Sequence, residues 1–507
     1  MRRHHEAAEA VEVYSPAEEQ FNRRRRTIGL FAGPALFLIL LLAPLPLATP
    51  AHRLGAILAM MVVLWVTEAL PLAVTALIGP VLAILLGVAP ARMAFAPFAD
   101  PIIFFFIGGF MLAEAMFVHG LDRRIAYTAL ASPAVGRSPW RILMAFGGVT
   151  TFISMWISNT ATTAMMFPIG LSIVSHVTKG RRQDAGTRRF AIAMMLITAF
   201  GASVGGLATP IGTPPNLIGL GMLERYVNYK ISFAGWMAFG VPLTVMLFVF
   251  LIAYFGATAL KGVTFDSSAG NLLKAELMKL GSMTAGERNV VIAFGITVAL
   301  WLLPGVLAVT GLGSTAFAGA YAAVVPESVA AMIGAILLFL LPVNWRQRRF
   351  TLGWDDAARI DWGIILLFGG GLTMGEMAFS TGLAERLGRG VLTLLPASGP
   401  VALTLLFTAV AIVVSETASN TASANMIVPI AIAVAKASGV DPVVPALAAT
   451  LGASMGFMMP ISTPPNAIVY SSGHVPINTM MRYGLALDLV GFLLISAMLL
   501  MFGGLLR

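Results

Sequence analysis

Two short polar triplets, Ser158-Asn159-Thr160 and Ser419-Asn420-Thr421, interrupt long apolar stretches. Lipid offers such groups no hydrogen-bonding partner, so at membrane depth they must be satisfied from within. A lone Ser or Thr in a membrane helix commonly bonds a carbonyl one turn back. Three adjacent polar residues, recurring at matched places, exceed that need. A hairpin tip built on such a triplet ends one helix and begins another. The N-terminal end offers free N–H groups and partial positive charge, suited to a carboxylate. The C-terminal end offers free carbonyls, suited to a small cation, and the hydroxyls and amide add donors and acceptors.

A second paired motif, Thr213-Pro214-Pro215-Asn216 and Thr463-Pro464-Pro465-Asn466, breaks a helix for a definite reason. Proline lacks the N–H, clashes with the preceding turn and pushes the residue before it out of the α region. Gly205, Gly206 and Gly212 loosen the chain ahead of the first copy. The carbonyls freed by the break need a partner, and a bound cation supplies one. No Lys or Arg lies within or next to either pair of motifs. An anion site here must therefore use neutral donors and helix ends, with cations bound alongside. That dependence couples anion to cation.

Other residues carry weaker signals. Glu68, Glu114, Glu376 and Glu416 are the carboxylates expected at membrane depth, where an ionisable group is a functional candidate by default. Glu114 and Glu376 lie outside the triplet hairpins, so packing or pairing explains them equally well, and Asp361 is placed at an interface. The sequences Gly201-Ala202-Ser203-Val204-Gly205 and Gly452-Ala453-Ser454-Met455-Gly456 spell G-x-S-x-G. A nucleophile elbow needs a strand–turn–helix context with a nearby His and acid. Both copies lie in apolar helices before a double-proline break, where small residues allow close helix approach. The six histidines form no HExxH motif or ligand pair, and His474 is assigned to a loop. No Walker motif is present, so energy comes from a gradient or from exchange.

The elements that hold these motifs are membrane helices. Of 507 residues, 58% are hydrophobic and 11% charged, less than half the ~25% of soluble domains. That content supplies roughly ten spans of about 20 residues. The absence of cysteine removes disulfides, thiolate metal sites and cysteine nucleophiles. The net charge of +9 resides in short basic clusters between apolar runs, a topology signal rather than a nucleic-acid surface. Arg23 to Arg26 directly precede the first run, which is too long for a signal peptide. The first 26 residues are read as a solvated cytoplasmic tail. Further runs fall at 54–72, 74–90, 102–119, 189–223, 233–259, 289–311, 319–342, 361–382, 443–471 and 480–506. Stretches 138–177 and 399–436 are broken by the triplets and by Pro168 and Pro429. Clusters Lys179-Arg181-Arg182-Arg188-Arg189 and Arg346-Arg348-Arg349 belong inside. Four crossings return the chain inside near Arg123 and Arg124, so 138–177 must leave and return on one side. It is read as a re-entrant hairpin.

An internal repeat supports this map. Phe106-Ile107-Gly108-Gly109, Glu114 and Gly120-Leu121 recur as Phe368-Gly369-Gly370-Gly371, Glu376 and Gly382-Leu383. The triplets and the double-proline motifs follow in the same order in both halves. By the crossing count, 102–119 runs inward and 361–382 outward. The halves are thus inverted, as in many secondary transporters, and the second hairpin enters from the outside.

With both paired motifs and the inverted repeat, the chain resembles the divalent anion/sodium symporter family, which includes INDY-type di- and tricarboxylate carriers. The resemblance covers about residues 27–506. It implies an all-α polytopic membrane protein with about 11 transmembrane helices, two re-entrant hairpins and an elevator mechanism. It also implies a homodimer in the cytoplasmic membrane, with the N-terminus inside. The divisions are a tail (1–26), scaffold helices (27–136), a first transport segment (137–260), a connector with scaffold helices (261–397) and a second transport segment (398–507).

By the same resemblance, substrate carboxylates are held by Ser158, Asn159, Thr160, Ser419, Asn420 and Thr421, with Pro464 close by. One sodium site matches Ser154, Ser158, Asn159 and Gly212. A second matches Ser415, Ala418, Asn420 and Ser462, partly through backbone carbonyls. Asn159 and Asn420 would each touch both anion and cation. No cofactor is expected beyond sodium as coupling ion. The leading expectation is sodium-coupled import of a C4-type dicarboxylate such as succinate. Alternatives are a sodium-independent dicarboxylate exchanger, a sulfate or citrate carrier of the same fold, an anion channel and an intramembrane hydrolase.

Overall fold

The computed structural model describes residues 16–132, 134–135, 138–178, 185–260, 269–394 and 399–503. Among them, nine helices are long and apolar enough to cross a membrane. A tenth arises if Ala316–Val324 and Glu327–Leu340 count together. That pair corrects the single run expected at 319–342, because the chain bends by 63° between them, where Pro326 bars helix continuation. The apolar helices Leu72–Leu85 and Val443–Gly452 are shorter still. At 1.5 Å per residue the former spans roughly 21 Å, less than the ~30 Å hydrocarbon core.

The first helix, Pro16–Leu42, begins well before its apolar run. Expectation placed all the N-terminal arginines in a solvated tail; Arg25 instead pairs with Glu68 at 2.7 Å. Glu68 occupies a left-handed position (φ 48°) closing helix Thr49–Thr67. The described members of the other basic clusters, Arg188, Arg189, Arg346, Arg348 and Arg349, are exposed. Arg349 lies in a small antiparallel hairpin, Pro342–Asn344 with Arg349–Phe350. Lys179, Arg181 and Arg182 lie outside the described residues. Three short helices not expected from hydropathy also appear, Leu121–Leu130, Ala269–Lys279 and Leu383–Leu394. Their charged faces hide them from a search for long apolar runs.

Burial ranks the helices. Only 11% of the first span's apolar window is buried, against 83% for Ala185–Gly205. The latter is enclosed on nearly every side, while the former presents apolar side chains outward, as a lipid-facing helix does.

Each triplet joins two packed helices, Pro139–Ser154 with Asn159–Thr178 and Pro400–Thr417 with Asn420–Ala437. Each double proline opens a new helix after a break, Pro214–Val227 following Ala185–Gly205 and Pro464–Tyr470 following Val443–Gly452. Proline suits the first helical position, where its missing N–H has no partner to lose. Thr213 and Thr463 are extended, with φ/ψ of −147°/143° and −145°/147°.

The halves interlock. Pro214–Val227 packs on Asn420–Ala437 and Val443–Gly452 of the second half, and Pro464–Tyr470 packs on Asn159–Thr178 and Ala185–Gly205 of the first. Gly219 permits one crossing, since a Cβ there would stand 2.1 Å from the Thr450 hydroxyl oxygen. Phe200 and Phe457 meet edge to face between the halves, with centroids 5.2 Å apart. The outer helices reciprocate in the same way, with Leu72–Leu85 on Trp362–Ser380 and Glu327–Leu340 on Pro101–His119.

Candidate functional site

Both triplets start a helix with their serine. Ser158 Oγ accepts the Ala161 N–H at 3.2 Å, and Ser419 Oγ accepts the Ala422 N–H at 3.2 Å. The serine side chain satisfies one of the four donors that a helix start leaves free. The other N–H groups of each first turn have no intrahelical partner. Ser158, Asn159, Thr160, Ser419, Asn420 and Thr421 are half-buried, and Pro464 is exposed.

In the first half, the Asn159 carboxamide lies 2.8 Å from Ser154 Oγ. The same end of the amide stands 3.0 Å from the Ala202 carbonyl oxygen and 3.3 Å from that of Gly212. With nitrogen turned inward, the amide donates to these oxygens. With Oδ1 turned inward, four oxygens converge, and a cation relieves their repulsion. Gly206 makes room for this, because a Cβ there would stand 2.4 Å from Asn159 Oδ1. Asn216 Nδ2 donates to the Gly206 and Thr209 carbonyls at 2.9 and 2.8 Å, and Thr209 Oγ1 donates to the Met155 carbonyl. Asn216 thus ties the break to the helix that follows it.

The second half repeats the pattern with one addition. Ser415 Oγ lies 2.7 Å from both Asn420 Oδ1 and the Ala453 carbonyl oxygen. Gly456 takes the place of Gly206, its added Cβ falling 3.0 Å from Asn420 Oδ1. Asn466 Nδ2 donates to the Gly456 and Met459 carbonyls at 3.1 and 3.0 Å. The addition is Glu416, 4% exposed. Its Oε1 accepts the N–H groups of Phe457 (2.6 Å) and Met458 (2.9 Å), and its Oε2 accepts that of Met459 (3.2 Å). Ser462 Oγ lies 2.8 Å from Glu416 Oε2 and 3.0 Å from the Glu416 carbonyl oxygen. Ala418 is buried and extended, closing the first arm.

The structure therefore brings Ser154, Asn159 and Gly212 together, and likewise Ser415 and Asn420, while the Ser462 hydroxyl faces Glu416. Sequence reasoning missed the Ala202 and Ala453 carbonyls. Their signal was the matched G-x-S-x-G pair, of which each alanine is the second residue. The motif's glycines do permit close approach: a Cβ on Gly205 would sit 2.2 Å from the Thr151 carbonyl oxygen. Among the described residues no group of three His, Cys, Asp or Glu could hold a metal ion. An apolar groove bounded by Pro242, Trp301, Pro304 and Pro326 lies elsewhere and is lined by none of the motif residues.

Residues 24–507 match the family model described as the sodium:sulfate symporter transmembrane region. The chain belongs to this family. It is 34% identical over 475 residues to the sodium-dependent dicarboxylate transporter SdcS of Staphylococcus saprophyticus, covering 92% of this chain and 89% of the relative. A second SdcS, from Staphylococcus aureus strain USA300, is 33% identical over the same shares. Among solved structures, the Alcanivorax borkumensis YdaH transporter superposes with a TM-score of 0.56 over 90% of this chain and 99% of that one. At 14% identity that likeness speaks for the fold alone. The family and these relatives are transporters rather than enzymes.

Proposed function

We propose that this member of the sodium:sulfate symporter family is a secondary transporter that couples sodium to the movement of a C4-type dicarboxylate, such as succinate, across the cytoplasmic membrane. The observation that carries the reading is the placement of Asn159 and Asn420. The Asn159 carboxamide reaches the Ala202 and Gly212 carbonyls and the Ser154 hydroxyl behind it. That of Asn420 reaches the Ser415 hydroxyl, which itself bonds the Ala453 carbonyl, and each residue opens a helix at a half-buried tip. The naming of the 34% and 33% identical relatives supports both sodium and dicarboxylate.

On this reading the two triplet hairpins are re-entrant and enter from opposite sides, with the N-terminus inside. Ser158, Asn159, Thr160, Ser419, Asn420, Thr421 and Pro464 hold the two carboxylates. Ser154, Ser158, Asn159 and Gly212 hold one sodium ion, joined by the Ala202 carbonyl. Ser415, Ala418, Asn420 and Ser462 hold another, joined by that of Ala453. Sodium on one face of each asparagine fixes its amide and supplies positive charge beside the anion. A doubly charged solute therefore binds weakly until sodium is in place. Segments 137–260 and 398–507 form the moving domain, carried by a homodimeric scaffold as an elevator. The interlocked broken helices favour such rigid-body motion.

The test is uptake of labelled succinate by proteoliposomes with sodium, potassium or a proton gradient outside. Concentrative uptake driven by sodium alone is expected. Equal uptake under all three conditions would reject sodium coupling in favour of exchange. Competition by sulfate, citrate and malate ranks the substrates, and displacement by sulfate ahead of malate would overturn the dicarboxylate assignment.

A further inference from the structure

Asp488 lies midway along the last helix, Ile477–Phe502, and is 4% exposed. Neither of its carboxylate oxygens meets an N–H or hydroxyl donor, and the side chain lies within hydrogen-bonding reach of another acid. The group facing it is the carboxylate of Glu416. Gly484 and Gly491 share its helix face, at spacings of four and three residues. Cβ atoms on them would fall 2.4 Å from the Phe457 carbonyl oxygen and 1.9 Å from Met455 Cε. The face bearing Asp488 is thus pressed onto the segment whose N–H groups hold Glu416. Among the described residues no Lys, Arg or His pairs with either acid.

The fold itself does not call for this pair. Helices Phe233–Thr258 and Ile477–Phe502 are equal in length, and Thr244 stands in the first where Asp488 stands in the second. Thr244 satisfies itself by donating to the Val204 carbonyl at 3.2 Å. Met155, four residues before Asn159, stands where Glu416 stands before Asn420. At the matching positions the first half carries a thioether and a hydroxyl. Two buried acids in the second half are an addition, and a buried charge without a partner is costly.

We propose that Asp488 and Glu416 form a further monovalent cation site, distinct from the two centred on Asn159 and Asn420, and that it takes an alkali ion, sodium under transport conditions. Three N–H dipoles and the Ser462 hydroxyl already offset the charge on Glu416. One negative charge, that of Asp488, is left to neutralise, which matches a monovalent ion rather than a divalent one. Carboxylate oxygens are hard donors of the kind alkali ions take. The ion would bind on the Asp488 side, where no N–H or hydroxyl donor competes and a proton shared with Glu416 is the rival occupant.

This inference rests on the sodium-coupled reading, and the test separates the two. Purified protein is titrated with radioactive sodium in lipid nanodiscs without substrate, and bound ions are counted per protomer. Asp488→Asn and Asp488→Thr are each expected to bind one ion fewer than the natural chain. The sodium-to-succinate flux ratio in proteoliposomes should fall by the same one ion. In sodium-free choline buffer both variants should melt above the natural chain, because an unpaired buried charge has been removed, and should gain less from added sodium. Equal counts in all three proteins overturn the site and leave the pair to a shared proton. Variants that melt lower in choline make the pair a structural bond and likewise overturn it. If the natural chain binds no sodium at all, the functional reading itself fails.

Discussion

Asn216 and Asn466 make the same two bonds in the two halves, each side-chain nitrogen donating to a glycine carbonyl and to another carbonyl three residues beyond it. Alanine at either position removes the side-chain donor from the glycine carbonyl, whereas the Thr209 and Met459 carbonyls still accept the N–H groups of Gly212 (3.3 Å) and Ser462 (3.2 Å). A buried unsatisfied group costs roughly 1–3 kcal/mol. Asn216→Ala and Asn466→Ala should therefore lower the melting temperature by similar amounts in detergent. A large drop in one and none in the other would show that the two breaks are held differently.

Asn159→Ala and Asn420→Ala should reduce sodium-dependent succinate uptake to background while the protein still elutes as a folded species. Uptake unchanged by both substitutions would remove the proposed function. Ser203→Ala and Ser454→Ala serve as the contrast. Their hydroxyls are buried without partners, so their loss should leave transport within about twofold, the effect of a near-neutral change.

Gly206 and Gly456 predict a graded effect. An added methyl at 206 would fall 2.4 Å from Asn159 Oδ1, and one at 456 would fall 3.0 Å from Asn420 Oδ1. Gly206→Ala should raise the sodium concentration needed for half-maximal uptake more than Gly456→Ala does. The reverse order would mean that the Asn159 oxygens are not the tighter cation pocket.

Arg225, on the helix opened by the first double proline, bonds Glu376 at 2.5 Å and Asp100 at 3.1 Å. It joins the proposed moving domain to the proposed scaffold. The chain has no cysteine, so an introduced pair reports without background. Arg225→Cys with Glu376→Cys should crosslink under oxidation and stop transport, and reduction should restore it. Full activity of the crosslinked protein would exclude movement between these segments.

Asp122, at the start of the short helix Leu121–Leu130, is almost fully buried, and burial pushes its carboxyl from 3.8 up to about 6. Only Oδ1 has a donor, the Arg123 N–H. Between pH 4 and 6 the folded chain holds this proton and the unfolded chain does not, so stability falls as pH rises through that window and then levels off. The shift corresponds to roughly 3 kcal/mol. Melting temperature should rise as pH drops from 7.5 to 5, and Asp122→Asn should flatten that slope. An unchanged slope would rule out Asp122 as its source.

Much of the architecture was legible because the paired motifs carry information in their side chains. The triplets, the double prolines and the repeat order all locate real helix starts and breaks. Residues acting through their backbone left a fainter trace: the side chains of Ala202 and Ala453 carry no polar chemistry, and only the matched G-x-S-x-G pair marks their positions. Asp488 was missed because a single acid in the last apolar run has no counterpart in the first half to flag it. Glu376 was left between packing and pairing and takes Arg225 as partner, whereas Glu114 has a buried oxygen with none. Asp361 caps a helix by accepting the Ile364 N–H. The interlocking of the broken helices was invisible, since periodicity reports which face is apolar and not which neighbour covers it.

That interlocking constrains how such a molecule arose. In a half-length ancestor, the short helix after each double proline would have had no wall of its own to lie against. A second copy would supply most of it, so self-association of half-length chains followed by fusion accounts for the arrangement. The covalent join then let the two copies diverge, and the acids at 416 and 488 are one mark of that divergence.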